Sequence, residues 1–210
     1  MTLLLITRLL ALVGLLFAVG ALAWRWRRTV QRPLPVDRSL AKGSPQQGVT
    51  YAFTLGMAPW AKESTRIHRI AYLRGIAFHV GIFAGLVALL ISPWWDLLPD
   101  LASWLLIALA GSGAIFGFAG EVMRRAEHNL RALSTADDHA SVLLVSLFLT
   151  AVTVALIVPT WMPVMYAVGA VMLVYMPLGK IRHCIYFFFS RRFFGLFVGR
   201  RAVVHVEVTR

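Results

Sequence analysis

The sequence has few charged residues and almost no cysteine. Only 14% of its 210 residues are charged and 59% are hydrophobic, with a mean hydropathy of +0.74. A soluble domain has about one quarter charged residues, so this composition excludes a soluble enzyme. The apolar excess also excludes a disordered chain. The one cysteine, Cys184, excludes a disulfide framework and a cysteine-ligated zinc or iron–sulfur centre. The composition is that of a small integral membrane protein.

Long apolar stretches predict an all-α integral membrane bundle of five transmembrane helices. Crossing the hydrocarbon core takes about 20 apolar residues. Five stretches satisfy this requirement: 3–24, 71–92, 101–123, 140–158 and 163–189. The first is interpreted as a retained helix, because it lacks a basic start and a small-residue cleavage site. The chain is therefore predicted to be a single membrane domain, 1–210, with an inner loop at 25–70, an interfacial helix at 49–68 and a basic tail at 190–210.

Acidic residues are also scarce, and the basic residues lie in alternate connections. The chain has 21 Lys and Arg against nine Asp and Glu, a net charge of +12. Ten of the basic residues lie within 25–74, whereas the next connection, 93–100, has none. Because basic loops face the cytoplasm, we expect the N-terminus outside, the C-terminus in the cytoplasm, and a multi-pass protein of a bacterial or archaeal cytoplasmic membrane. The charge then suits membrane lipid and an acidic cytosolic partner, and no nucleic acid is expected.

Two of the six histidines lie within predicted spans. His79 lies about two turns into the second span and His183 near the inner end of the fifth, so the topology brings both to one leaflet. Ionisable groups inside a membrane are costly and usually functional, and two facing imidazoles are what a six-coordinate b-type haem requires. Gly75 and Gly179 precede them at i−4, where a flat porphyrin would approach the helix. The alternative is that histidine and glycine both serve helix packing.

Basic residues border these histidines on the predicted inner side. Arg74 and Arg182 are candidates for pairing with haem propionates. Lys62, His68 and Arg69 in the inner loop are candidates for contact with a quinone or a partner protein. Solvated positive-inside residues are the alternative for each of them.

Two more ionisable residues near this boundary are interpreted as structural. His139 follows two aspartates and is assigned to an acidic helix N-terminus. Glu121 precedes an arginine pair and is expected to snorkel, with a proton-relay role left open. The outer halves of the spans show almost no polar side chains, which argues against a transporter or channel.

Three short motifs resemble those of a known family. They are FHVGIF at 78–83, ADDHASVLLVSL at 136–147 and MPLGKIRH at 176–183. They are similar to segments of the membrane gamma subunit of respiratory nitrate reductases, and of the cytochrome b subunits of heterodisulfide reductases and sulfite-reduction-associated menaquinol complexes. The resemblance extends over about 51–189. It implies a respiratory subunit, not catalytic alone, that transfers electrons between menaquinone or ubiquinone and a cytoplasmic iron–sulfur subunit.

The resemblance also implies how many haems the chain holds. His79 and His183 fall on the ligand pair of the haem nearest the cytoplasmic subunit. The ligands of a second, outer haem fall on Leu89 and Met165, and leucine cannot bind iron. We therefore expect one haem b and a heterodisulfide reductase-like partner rather than a nitrate reductase; whether Met165 or His68 binds anything stays open. A haem-free membrane anchor that docks a cytoplasmic redox complex is the alternative.

Overall fold

The computed structural model describes residues 2–61 and 63–203, and every regular element within them is helical. Within these residues there are nine α-helices, and four of the connections between them contain a 3₁₀ helix. In chain order they are α1 (Thr2–Val30), α2 (Pro45–Phe53), α3 (Glu63–Ile67), α4 (Arg69–Ile91), α5 (Asp100–Ala126), α6 (His128–Leu133), α7 (Ala136–Ile157), α8 (Met162–Tyr175) and α9 (His183–Arg200).

Four of these helices, α1, α4, α5 and α7, are long and apolar enough to cross a membrane. Helices α8 and α9 are separated by a bend, and they pass the same test only when they are taken together. If this bent pair is one span, the number of spans is five. With 14 residues α8 rises about 21 Å, less than the ~30 Å hydrocarbon core. Pro177 lies in the bend and cannot donate the backbone hydrogen bond that would continue the helix. The membrane-spanning helical bundle is thus confirmed with four or up to five spans, and the side of each terminus stays a prediction.

The predicted interfacial stretch 49–68 is not one helix. It begins inside α2, passes through a 3₁₀ turn at Leu55–Met57, and ends with α3 and a turn at His68. Pro59 lies in the interruption, where a continuous helix would lose a hydrogen bond. The start of α2 is fixed by Ser44, whose hydroxyl accepts from the Gln47 N–H.

The chain forms two compact units. The first unit comprises 1–22 and 73–181, and the second comprises 23–72 and 182–210. The described parts of α4, α5, α7 and α8 form most of the first unit, whereas α2 and α9 belong to the second.

Small residues bring the helices of the first unit into close contact. A Cβ atom on Gly81 of α4 would lie 2.6 Å from the Gly113 Cα of α5 and 2.8 Å from the Leu109 carbonyl oxygen. Helix α7 contributes fully buried Phe148 and Leu149, and a Cβ atom on Gly113 would lie 3.0 Å from Leu149 Cδ1. Because glycine has no side chain, the two backbones approach as closely as packed membrane helices do.

Glycine also joins the helices of the second unit. A Cβ atom on Gly199 of α9 would lie 2.5 Å from the Ser44 carbonyl oxygen and 2.9 Å from the Gly48 Cα of α2. The Trp26 ring, near the end of α1, packs against Phe189 with 4.5 Å between ring centroids. Asp37 accepts two hydrogen bonds from the Arg201 guanidinium, at 2.7 and 3.0 Å. This unit is therefore held by backbone contact, aromatic packing and one bidentate ion pair.

Candidate functional site

His79 lies on an exposed surface of α4 in the first unit. Its Nδ1 atom is 2.7 Å from the carbonyl oxygen of Gly75, one turn earlier. Since a carbonyl accepts only, Nδ1 carries the proton, and the lone pair of the neutral ring is on Nε2. Metal-ligating histidines commonly donate their second nitrogen to a carbonyl or carboxylate in this way. An imidazole oriented in this way fits the ligation of a haem iron.

Gly75 leaves open space beside this histidine. A Cβ atom on Gly75 would meet no atom within 4 Å. The glycine is therefore not required by contact with another helix of the described chain. The open surface fits the predicted role of letting a flat group lie against α4.

Arg74 extends from α4 across the end of α5. Its guanidinium contacts the Met123 sulfur and approaches Gly120. A thioether is a weak acceptor for a guanidinium. Among the described residues Arg74 forms no ion pair, so it retains the capacity to bind a carboxylate such as a propionate.

His183 is the first residue of α9 in the second unit and is exposed. It follows Arg182, the last residue of a 3₁₀ turn. His79 belongs to the first unit, so the pairing of the two imidazoles stays a prediction.

Gly179 has a packing role, which is the alternative that the sequence left open for it. A Cβ atom at this position would overlap the ring of Tyr175. This contact accounts for the glycine without a porphyrin, in contrast to the open space at Gly75.

Two of the three inner-loop candidates, His68 and Arg69, are exposed residues of the second unit. His68 lies in the exposed turn between α3 and α4, and Arg69 begins α4 with its Nε donating to the Arg66 carbonyl at 3.0 Å. Lys62 lies outside the described residues. A quinone or partner contact at these three positions therefore stays a prediction.

Leu89 and Met165, the positions of the missing outer ligands, lie in the packed core of the first unit. Met165 is fully buried, and 8% of Leu89 is exposed. A Cβ atom on Gly169 would contact Phe148 at 3.4 Å and Leu89 at 3.5 Å, whereas one on Gly85 would lie 2.6 Å from Leu149. Apolar side chains therefore fill the space between α4, α7 and α8.

Buried Glu121 and partly exposed His139 form a pair that the sequence interpretation missed. Glu121 does not snorkel, since only 4% of it is exposed. Its Oε1 atom accepts from His139 Nδ1 and from Arg125 Nε, each at 2.7 Å. The signal in the sequence was an acid in a span and a histidine at the start of the next, but their pairing depends on how the two helices are rotated.

The acidic start of α7 is confirmed and is linked to the segment after α8. Thr135 and Asp138 form a capping box, and the Asp138 carboxylate also pairs with Lys180 Nζ at 2.5 Å. Asp137 accepts a hydrogen bond from the Tyr175 hydroxyl and one from the Lys180 backbone N–H at 3.2 Å.

Three hydrogen-bonded polar side chains lie near the other end of the first unit, where the sequence indicated almost no polar side chains. Arg8 Nε donates to the Tyr166 hydroxyl at 3.2 Å, and that hydroxyl is 2.7 Å from Ser92 Oγ. Tyr166 and Ser92 are both buried. Arg8 lies inside an apolar helix and was not singled out, so the expectation for these half-spans was wrong in this respect.

No protein-family model matches the sequence, and no curated protein or solved structure matches it. The family resemblance of the three short motifs stays a prediction.

Proposed function

We propose that the chain is a haem b membrane subunit that transfers electrons between a membrane quinone and a cytoplasmic iron–sulfur subunit. When bound, the haem would supply one-electron transfer, while the protein sets its position and local environment. The observation that carries the proposal is His79, whose Nδ1 is bonded to the Gly75 carbonyl at 2.7 Å beside open space on α4. The chain is not an enzyme alone in this proposal.

Each residue around the proposed haem has a separate task. His79 would offer Nε2 to the iron, and the Gly75 carbonyl would orient the ring and make it a better ligand. His183 would be the second ligand. Arg74 and Arg182 would bind propionates, because guanidinium groups pair well with carboxylates.

The packed core around Met165 supports a count of one haem. Phe148, Leu149 and Leu89 are buried in the same core as Met165. Since interiors are packed to crystal-like density, a porphyrin there would displace several side chains at once.

The partners are proposed from charge and from the family resemblance. The exposed basic residues Arg66 and Arg69 near the start of α4 suit an acidic surface of a cytoplasmic protein. Menaquinone or ubiquinone is the proposed membrane redox partner, with His68, Arg69 and Lys62 as candidate contacts. A heterodisulfide reductase-like iron–sulfur subunit is proposed rather than a nitrate reductase, as the single haem suggests.

An optical spectrum of the purified full chain tests this function. Reduction with dithionite is expected to give a b-type spectrum in the native protein and in His128→Ala, which changes an exposed histidine of α6. His79→Ala and His183→Ala are expected to lose this spectrum. Full haem content in both variants would refute the ligand assignment.

A haem-free membrane anchor is the second candidate, favoured by the same exposed basic residues. Protein expressed with ample haem would then show no Soret band, yet would still bind its cytoplasmic partner. In that case Arg66→Glu and Arg69→Glu would weaken partner binding.

A further inference from the structure

Glu121 is a buried carboxylate in a helix that is apolar enough to span a membrane. Its two oxygens differ. Oε1 accepts two hydrogen bonds, whereas Oε2 is buried and has no hydrogen-bond partner among the described residues. An ionised carboxylate oxygen without a donor is costly in a buried position. Adding one proton to the carboxylate lowers that cost, because the group then carries no charge.

His139 connects this carboxylate with the surface. Its side chain is 25% exposed, compared with 5% for the side chain of Glu121. Because Nδ1 donates to the carboxylate at 2.7 Å, Nε2 is the acceptor of the neutral ring. The imidazole is therefore arranged to accept a proton on one nitrogen and to pass one from the other.

Arg125 is the cation that pairs directly with Glu121. Its side chain is 62% exposed, so solvent and salt screen its charge. This screening weakens the hold of the ion pair on the ionised carboxylate.

Other charged and titratable groups of the packed elements are engaged elsewhere or exposed. Arg124 donates from Nη1 to Ser134 Oγ at 2.9 Å, although its Nε is buried and unpaired within the described chain. Arg74 contacts Met123, Asp137 accepts a hydrogen bond from Tyr175, and Asp138 pairs with Lys180. The remaining groups near this pair are exposed: Glu127, His128 and Arg131.

We propose that Glu121 and His139 form a proton-binding site that exchanges protons with the aqueous medium through His139. A hydronium ion or a buffer acid gives a proton to Nε2, and the proton on Nδ1 passes to the Glu121 carboxylate. The pair then holds one added proton, with a neutral carboxyl and a neutral imidazole. No oxidant or reductant takes part.

The same contacts also describe a permanently ionised cluster that only joins α5 to α7. The two roles differ in one observable, which is whether Glu121 ever becomes protonated in the folded protein. Infrared difference spectroscopy detects the C=O stretch of a protonated buried carboxyl group directly.

The first experiment records infrared difference spectra of the full chain in lipid nanodiscs as the medium is made more acidic. The native protein is expected to gain a buried-carboxyl band reversibly. Glu121→Gln is expected to lack this band, and Glu127→Gln, which changes an exposed acid at the end of the same helix, is expected to keep it. Absence of the band from the native protein, or its persistence in Glu121→Gln, would overturn the proposal.

The second experiment replaces the medium by D₂O and follows the shift of that band. In His139→Gln the side chain keeps an amide donor for Glu121 but cannot relay a proton. Deuterium exchange is expected to slow about tenfold or more, since positioned acid–base groups contribute at least this much. His128→Gln is expected to exchange at the native rate.

A native exchange rate in His139→Gln would overturn the assignment of His139 as the entry point. If Glu121→Gln does not fold, the His139→Gln comparison decides alone. Because the band is assigned to Glu121 by its loss in Glu121→Gln, the carboxyl groups of haem propionates do not enter the assignment, and the experiments can be carried out with and without haem. Their failure therefore leaves the haem proposal standing.

Discussion

The two ends of the first unit differ in what fills the space between the helices. At one end, here called the Met165 end, Leu89, Phe148 and Met165 form a buried apolar core. At the other, the Glu121 end, Arg74 lies against a thioether and Glu121 is buried against His139. Apolar packing therefore holds the Met165 end, whereas the Glu121 end keeps charged groups that a core alone would not need.

Polar groups at the Met165 end are arranged differently from those at the Glu121 end. Tyr166 and Ser92 are buried and share a hydrogen bond of 2.7 Å, and Arg8 donates to the same tyrosine. Ser92 Oγ also donates to the Leu89 carbonyl at 2.6 Å. The hydroxyls of Tyr166 and Ser92 both have hydrogen-bond partners, whereas Glu121 keeps an unbonded oxygen. Satisfied polar chains stabilise a fold, and an unsatisfied buried group is where function is expected.

Removing the largest fully buried side chain of the Met165 end is expected to have the largest effect on stability. Phe148→Ala leaves a cavity at a fully buried position, so the free energy of unfolding should fall by about 3–5 kcal/mol. Denaturation in mixed micelles measures this value. Phe83→Ala, at a position that is 66% exposed, is the matched control and should change it by less than about 0.5 kcal/mol. Equal effects of the two variants would contradict the packed core.

Widening the close contact between α4 and α5 is expected to have the next largest effect on stability. In Gly81→Val the new side chain would overlap the Gly113 backbone, which costs about 1–3 kcal/mol in a packed interface. Gly20→Val is the control, because a Cβ atom there meets nothing within 4 Å. Thermal unfolding of both variants measures the difference. A stable Gly81→Val protein would show that the helices are not in this close contact.

Breaking the polar chain at the Met165 end tests whether it is structural. Tyr166→Phe removes the hydroxyl bonded to Arg8 and Ser92 and should lower the free energy of unfolding by about 1–2 kcal/mol. Tyr186→Phe is the control, since within the described chain that hydroxyl has no hydrogen bond. Both variants should keep the native haem content. Loss of haem in Tyr166→Phe would place function at the end that is interpreted as structural.

The smallest expected effect concerns Asp37 in the second unit, which lies outside the spans. Hydrogen bonds from Arg201 and from the Ser39 backbone N–H hold the pKa of the Asp37 carboxyl below its ordinary value. The resulting stabilisation is complete above the ordinary aspartate pKa of about 3.9 and is lost as the pH falls through the folded-state pKa. Native protein should therefore exceed Asp37→Asn in stability at neutral pH, and the two should converge in acid.

Stability against pH, measured for native protein, Asp37→Asn and Asp96→Asn, checks this sign. Asp96 is exposed, so its substitution should leave the curve unchanged. A constant difference between native protein and Asp37→Asn at all pH values would contradict the ion pair with Arg201.

The sequence was sufficient for features that depend on local composition. Hydropathy predicted a span at 71–92, and α4 runs over Arg69–Ile91. It also predicted the acidic start of α7, where Asp138 caps the helix. Both depend on residues within a few turns of each other, so the chain order alone contains the information.

Features that depend on the rotation and depth of two helices were not predictable in the same way. Glu121 and His139 are 18 residues apart on different helices, and hydropathy does not show which faces meet. Gly75 and Gly179 have the same spacing from a histidine, yet one faces open space and the other packs on Tyr175. The break after α8 had a local signal in Pro177 and Gly179, but the apolar length of 163–189 outweighed it.

Electron paramagnetic resonance of the oxidised full chain tests directly whether two histidines bind a single haem, because it reports both the iron ligands and the number of haems. We expect one low-spin ferric signal of the bis-imidazole type, integrating to one spin per chain. This signal should be retained in His128→Ala and lost in His79→Ala. A high-spin signal, two distinct low-spin signals or no haem signal at all would contradict this expectation.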